Sequence, residues 1–259
     1  MSASISTDIG TTTPDRIEVR GKDIAADIIG KFDFIDMIWW LVAGRMPEPR
    51  EKDMLNMFLV TGADHGLTPS AISARLTYLG APESLQGAVA AGLLGAGDRF
   101  LGTIQNAAET FAEFAKELSD DADDRAVDEA ARRLIAAHRA AGKPIPGVGH
   151  PLHVNGDPRI PALVDVSRRN GYFGRHWRLA LALPAVLRAE LGRSLPLNAA
   201  GGVGAAMADM GLPPQLGRGL ALIGRTAGLV AHLLEERERP IGQRIWDLVL
   251  RQDSRNVLP

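Results

Sequence analysis

Cysteine is absent from the 259 residues. That excludes a disulfide framework, a thiolate nucleophile and any cysteine-ligated metal, and it agrees with a reducing, cytoplasmic setting. No apolar run is long enough to span a bilayer, because charged residues interrupt each candidate, the Trp39-Trp40 segment included, so a soluble protein is expected. Basic residues do not outnumber acidic ones, at 29 against 31 with a net charge of -2, which leaves no excess for tracking phosphates and argues against nucleic acid as a partner. Alternating runs of β-branched and aromatic residues are missing too, so no strand is expected. There is no Walker loop, nucleophile elbow or glycine fingerprint after a strand. The first sixteen residues are polar and lack the basic start and apolar stretch of a secretory signal, and residues 1–20 read as a flexible leader.

Helical periodicity fills most of the rest. Over residues 22–42 the apolar Ile24, Ile28, Phe32, Ile35, Trp39 and Val42 recur every three or four positions until Gly44. Similar spacing predicts helices from Pro49 to about Thr61, over 69–79, 83–94, 103–118 and 125–141, and then through 160, 177–191, 205–210 and 216–236. Gly95 and Gly97 mark a hinge, and the acidic run at 119–124 reads as a solvated connection. Residues 143–159, KPIPGVGHPLHVNGDPR, are dense in proline and glycine and must be irregular. Long irregular segments in compact proteins tend to carry function. The fold class is all-α.

Two of the six histidines, His65 and His150, sit in glycine-flanked breaks between helices. An imidazole poised near neutral pH can act as acid, base or donor to a carbonyl. Gly147 and Gly149 would let backbone amides face a ligand beside His150. His65 could equally be a polar loop residue, and the glycines of GVGHP could serve only the chain path. His150 and His153 together could offer imidazole nitrogens to a metal, but no carboxylate stands at a ligand-like interval, and no metal site is expected. Arg159 and Arg225 could pair with carboxylates, since the guanidinium fork matches them. His138, His176 and His232 fall on helical stretches and read as packing or surface residues.

Five blocks in order, ADHG at 63–66, AGLLGAGDRFLG at 91–102, GVGHPLHVNGDPR at 147–159, LPLNAAGGVGAAMADMG at 195–211 and GRTAGLVAHLLEERERP at 224–240, resemble the citrate synthase and citryl-CoA lyase family. They are most similar to the short citryl-CoA lyases and to the citrate synthase-like module of ATP-citrate lyase. The resemblance implies a homodimeric or higher all-α assembly whose large lobe, residues 21–97 and 211–259, carries a smaller lobe, residues 98–210. It implies that the histidine at His65 stabilises the enolate of an acetyl thioester, while that at His150 handles the oxygen of the other fragment. Arg159 and Arg225, with Arg239 less securely aligned, would hold substrate carboxylates, and Gly147, Val148 and Gly149 would lie against CoA. No resident cofactor is implied; a CoA thioester and a carboxylic acid are the small-molecule partners.

The chain departs from the family at one place. Where the pattern reads Asn-Val-Asp-Gly, this sequence reads Asn198-Ala199-Ala200-Gly201, so the carboxylate that moves the α-proton is replaced by Ala200. Asp209, nine residues on, is about 13 Å along a helix and no obvious substitute. Removing an unactivated α-proton needs that carboxylate more than protonating a released enolate does, so cleavage fits better than condensation. The expectation is a lyase that splits citryl-CoA or a related 3-hydroxyacyl-CoA into acetyl-CoA and a keto acid such as oxaloacetate, with His150 as base. The alternatives are a catalytically impaired CoA- and carboxylate-binding protein, a citrate synthase-type acyltransferase, and a metal-dependent hydrolase.

Overall fold

The computed structural model describes residues 5–256, and the outermost parts of the expected leader and large lobe, residues 1–4 and 257–259, lie outside them. The chain forms two compact units, the first ending at Asn56 and the second beginning at Met57.

The first unit corrects two expectations. Its start is an antiparallel three-stranded meander, β1 (Gly10–Thr12), β2 (Ile17–Val19) and β3 (Lys22–Asp23), with Gly10 opposite Val19 and Glu18 opposite Asp23. Residues 9–20 are therefore paired chain, not flexible leader. Arg20 and Gly21 both take left-handed backbone angles, φ 46° and 77°, which is the twist a two-residue hairpin turn requires. Strands of two or three residues are too short for alternation to show in sequence. The helix expected over 22–42 is broken as well. Asp23 caps a wide turn at Ile24–Ile28, and a second start follows at Asp33, whose carboxylate accepts from the Ile35 and Asp36 amides while Asp36 reaches back to the Asp33 amide. This reciprocal cap opens α1 (Phe34–Ala43), which Gly44 closes. Trp40 Nε1 donates to the Val19 carbonyl at 2.9 Å and fastens α1 to the meander.

The second unit is built of helices joined by loops, with residues 143–159 irregular as expected, and follows α2 (Pro49–Ala63) with α3 (Pro69–Gly80), α4 (Leu85–Leu94), α5 (Gly102–Ala115), α6 (Asp124–Ala140), α7 (Ile160–Arg169), α8 (Arg175–Leu191), α9 (Ala199–Asp209), α10 (Pro214–Glu238) and α11 (Gly242–Gln252). At the expected hinge a wide turn, Gly97–Leu101, runs directly into α5. The acidic connection does more than face solvent, because Asp123 accepts the Ala126 amide and caps α6. Residues 98–210, expected as a small lobe, all lie within this unit.

Two close approaches shape its interior. Helix α9 is buried from Gly201 to Met207, and a Cβ on Gly204 would press on Ala107 and the backbone of α5 within 3.1 Å, so small residues set the spacing of these helices. On α10, Gly224 and Gly228 lie one turn apart and face the end of α2. A Cβ on either would fall inside the carbonyl oxygens of Leu59 and Ala63 respectively. Only glycine lets α2 rest backbone to backbone on α10, and that contact sets where the residues after Ala63 emerge. Around it Ala74, Ala88, Leu229 and Leu233 form a buried apolar cluster, each buried leucine contributing about 1.5–3 kcal/mol.

Candidate active site

The break after α2 is shaped by Asp64. One carboxylate oxygen accepts the Gly66 amide at 2.9 Å and the other meets His232 Nε2 on α10 at 2.9 Å. Thr68 then caps α3. Behind this loop, Arg75 of α3, fully buried, donates to His232 Nδ1 at 2.8 Å, to Glu236 at 2.6 Å, and to Glu235. Arginine cannot accept, so Nδ1 of His232 is the acceptor and its Nε2 carries the proton given to Asp64. Residues read as surface or unassigned in the sequence thus form a chain from Glu236 to the loop that presents His65. No local pattern links Arg75 to His232; only the fold brings them together.

His150 is held from the other side. The carbonyl of Gly147 accepts the Asn198 amide at 2.9 Å, the Gly149 amide donates to Pro196 at 2.7 Å, and Asn198 Nδ2 donates to the Gly149 carbonyl at 2.7 Å. Gly147 adopts φ 83°, and a Cβ there would meet Gly201 Cα at 2.5 Å. These glycines serve chain path and close approach. The Gly149 amide is spent on Pro196. Asn198 also accepts the Gly201 amide and caps α9, so one side chain ties the residue before His150 to the turn that bears Ala200. Within the loop, His150 Nδ1 accepts the amides of Leu152 and His153 at 3.1 and 3.0 Å. In the neutral ring the proton therefore sits on Nε2, and that edge is a donor. On that edge the neutral ring offers a proton rather than a lone pair.

The two breaks meet. The rings of His65 and His150 lie 5.2 Å apart centre to centre, His65 and His153 5.5 Å, and His150 stacks on His153 at 4.4 Å. Burial holds His65 below the ordinary imidazole value, with the charges of Arg159, His153 and Arg225 adding to it. Burial likewise lowers His150, and the neighbouring imidazoles reinforce it. Both rings are accordingly neutral below their usual range.

The arginines divide. Arg159 is clamped to Asp157 through Nε and Nη2 at 2.9 and 2.7 Å, which leaves Nη1 for a ligand. Asp157 also accepts the Ala199 amide at 2.9 Å, and although burial alone would raise its carboxyl, the Arg159 guanidinium and these amides hold it at about 2. Arg225 is buried on α10, its Nε has no hydrogen-bond partner, and among the described residues it makes no ion pair. Burial lowers its pKa, partly offset by the charge of Asp64. A buried cation without a partner is costly and is relieved by an anionic ligand. Arg239 does not join this group: it caps the exposed end of α10, fourteen residues or about 21 Å along the helix from Arg225. Asp209 is no substitute for the missing carboxylate either, because it accepts from His176 and from three amides at the start of α8.

Among the described residues, His65, His150 and His153 are the ligand group compact enough to hold a metal, their nearest nitrogens lying within 4.8 Å of one another. The donor set fits poorly. His150 could bind through Nε2 only with its proton moved to Nδ1, where two amides already donate, whereas metal-bound imidazoles normally donate from the other nitrogen.

The model for the family described as citrate synthase, C-terminal domain, matches residues 15–246. The chain belongs to the citrate synthase family. Among its citrate synthase-like relatives, the solved citryl-CoA lyase of Hydrogenobacter thermophilus is 30% identical, with a TM-score of 0.80 over 98% of this chain and 95% of that one. The ATP citrate lyase of Methanothrix soehngenii, solved with citrate and coenzyme A, shares the fold at 22% identity and a TM-score of 0.74, over 92% of this chain and 39% of that one. ATP-citrate synthase subunit 1 of Sordaria macrospora is 27% identical over 245 residues, 87% of this chain. The chain spans about a third, 34%, of that relative's length. Among the described residues no helix is long and apolar enough to cross a membrane.

Proposed function

We propose that this protein is a CoA-dependent carbon–carbon lyase that cleaves citryl-CoA, or a related 3-hydroxyacyl-CoA, to acetyl-CoA and a keto acid such as oxaloacetate. The observation that carries the reading is the unpartnered buried Arg225 beside neutral imidazoles on two loops, an arrangement suited to a carboxylate joined to a polar reacting centre. Likeness to the Hydrogenobacter citryl-CoA lyase over nearly the whole of both chains supports the choice of reaction.

In this reading Arg225 and the free Nη1 edge of Arg159 hold the carboxylates of the keto-acid half. His65 donates to the thioester oxygen and stabilises the enolate as negative charge gathers there. His150 donates from Nε2 to the oxygen that becomes the carbonyl. CoA lies against the GVGHP turn through the amides of Gly147 and Val148, residues 98–210 act as the smaller lobe, and two copies form the working assembly. Arg239 has no place in the single-chain pocket.

The test is direct. Purified protein is given citryl-CoA and related 3-hydroxyacyl-CoAs, and release of acetyl-CoA and keto acid is followed together. Release in equal amounts supports a lyase; none from any substrate rejects it. Ala200 favours a second reading, a binding protein without turnover, which the same experiment identifies if CoA and citrate raise the thermal midpoint while no product forms.

A further inference from the structure

Cleavage of a 3-hydroxyacyl thioester requires a proton to leave the hydroxyl oxygen and a proton to reach the α-carbon. The acceptor must be found among the groups around the three rings, and most are unfit. His150 presents a donor edge, because Nδ1 is filled by two amides. Asp64 is engaged by His232 and the Gly66 amide, and Asp157 by Nε and Nη2 of Arg159 and by two amides. Arg159 and Arg225 only donate. In the lyase reading His65 is given to the thioester oxygen. Ala200 has no proton to move. His153 remains. Its ring stacks on His150 and stands edge-on to His65, it is half-buried in an irregular loop, and among the described residues neither of its ring nitrogens is in a hydrogen bond.

We propose that His153 is a third catalytic residue, the proton relay that takes the hydroxyl proton and returns it to the α-carbon. This rests on the lyase reading above. In the first half the O–H bond breaks and its proton passes to a ring nitrogen of His153. The oxygen's electron pair forms the carbonyl, and the carbon–carbon bond breaks with its electrons passing into the enolate. In the second half the enolate's electron pair forms a C–H bond with the proton on His153. The keto acid and acetyl thioester are released, His153 is neutral again, and no co-reactant is consumed. A single group suffices because the proton removed first is the one needed second. That explains how a chain with Ala200 can dispense with a carboxylate there.

The test compares wild-type protein with His153→Gln and His153→Asn, two substitutions in a half-exposed loop whose folding is checked by the thermal midpoint. Two readouts are taken: release of keto acid from citryl-CoA, and exchange of the acetyl-CoA methyl protons into D2O with oxaloacetate present. The expected result is a fall of about a hundredfold or more in both, with CoA binding unchanged. If wild-type protein cleaves citryl-CoA and either folded variant does so within about threefold, or keeps the exchange, His153 is not the relay and the lyase reading stands. If wild-type protein cleaves no hydroxyacyl-CoA, the lyase reading falls and the relay falls with it.

Discussion

Replacing Gly147 by alanine tests whether the site depends on backbones in contact. Two separate penalties apply there. The left-handed backbone, φ 83°, costs a side-chain-bearing residue about 1–2 kcal/mol. In addition the new Cβ would stand 2.5 Å from Gly201 Cα, whereas ordinary contact begins near 3.4 Å, so the turn and the first turn of α9 must part by about 1 Å. Forcing extra atoms into a packed interior costs a further ~1–3 kcal/mol. Gly142 is the control, since it has φ 63° and nothing within 4 Å of the place a Cβ would take, so Gly142→Ala carries the first penalty alone. Urea unfolding should show Gly147→Ala less stable than Gly142→Ala by about 1–3 kcal/mol. Because His150 follows three residues later, a displacement of this size should also lower kcat/KM about a hundredfold, while Gly142→Ala keeps wild-type kinetics. Equal stability and equal activity for the two variants would refute the claim that the Gly147–Gly201 contact positions His150.

Arg225→Met removes a buried cation without a partner, so it should leave stability unchanged or raise it by about 1 kcal/mol or more while lowering affinity for citrate; a large loss of stability would show that Arg225 has a structural partner. Asp157, held at about 2 against an ordinary 3.8, stabilises the fold fully above 3.8, and that contribution, about 2 kcal/mol, is lost as pH falls through about 2. Acid titration of stability should therefore show a component in this window that Asp157→Asn abolishes, and an identical titration would refute it. His65→Ala should lower turnover about a hundredfold with little change in unfolding midpoint. For His65 and His150, whose folded values lie below the ordinary 6.5, the unfolded chain binds more protons, so stability should decline as pH falls below 6.5, and a flat profile there in wild-type protein would count against the burial of these rings.

Legibility from sequence followed physical range. Helices announced by caps and periodicity, such as α3 with Thr68 and Pro69, lie where the spacing puts them. The Asp33–Asp36 capping box was also present as a signal, and continuous apolar spacing across it hid the break. The β-meander was beyond reach, because its pairing is a contact between strands of two and three residues and carries no periodicity. His65 and His150 stood out because glycine-flanked histidines between helices are locally unusual. His232, Arg75 and Asp157 did not, since their importance comes from partners brought near by the fold: Arg75 and His232 are 157 residues apart. The direction of the His150 ring was equally hidden, because two amides of its own loop decide the tautomer.

The latch made by Asn198 has a consequence for the order in which the molecule assembles. It joins Gly149 to the start of α9 across 49 positions of sequence that include all of α7 and α8, and closing such a loop costs entropy that nearby contacts do not incur. Helical signal should then appear in refolding before ligand binding does, with the delay set by docking of α9. A chain caught between those stages would have its helices and no pocket, a folded-looking species that cannot be protected by its own substrate.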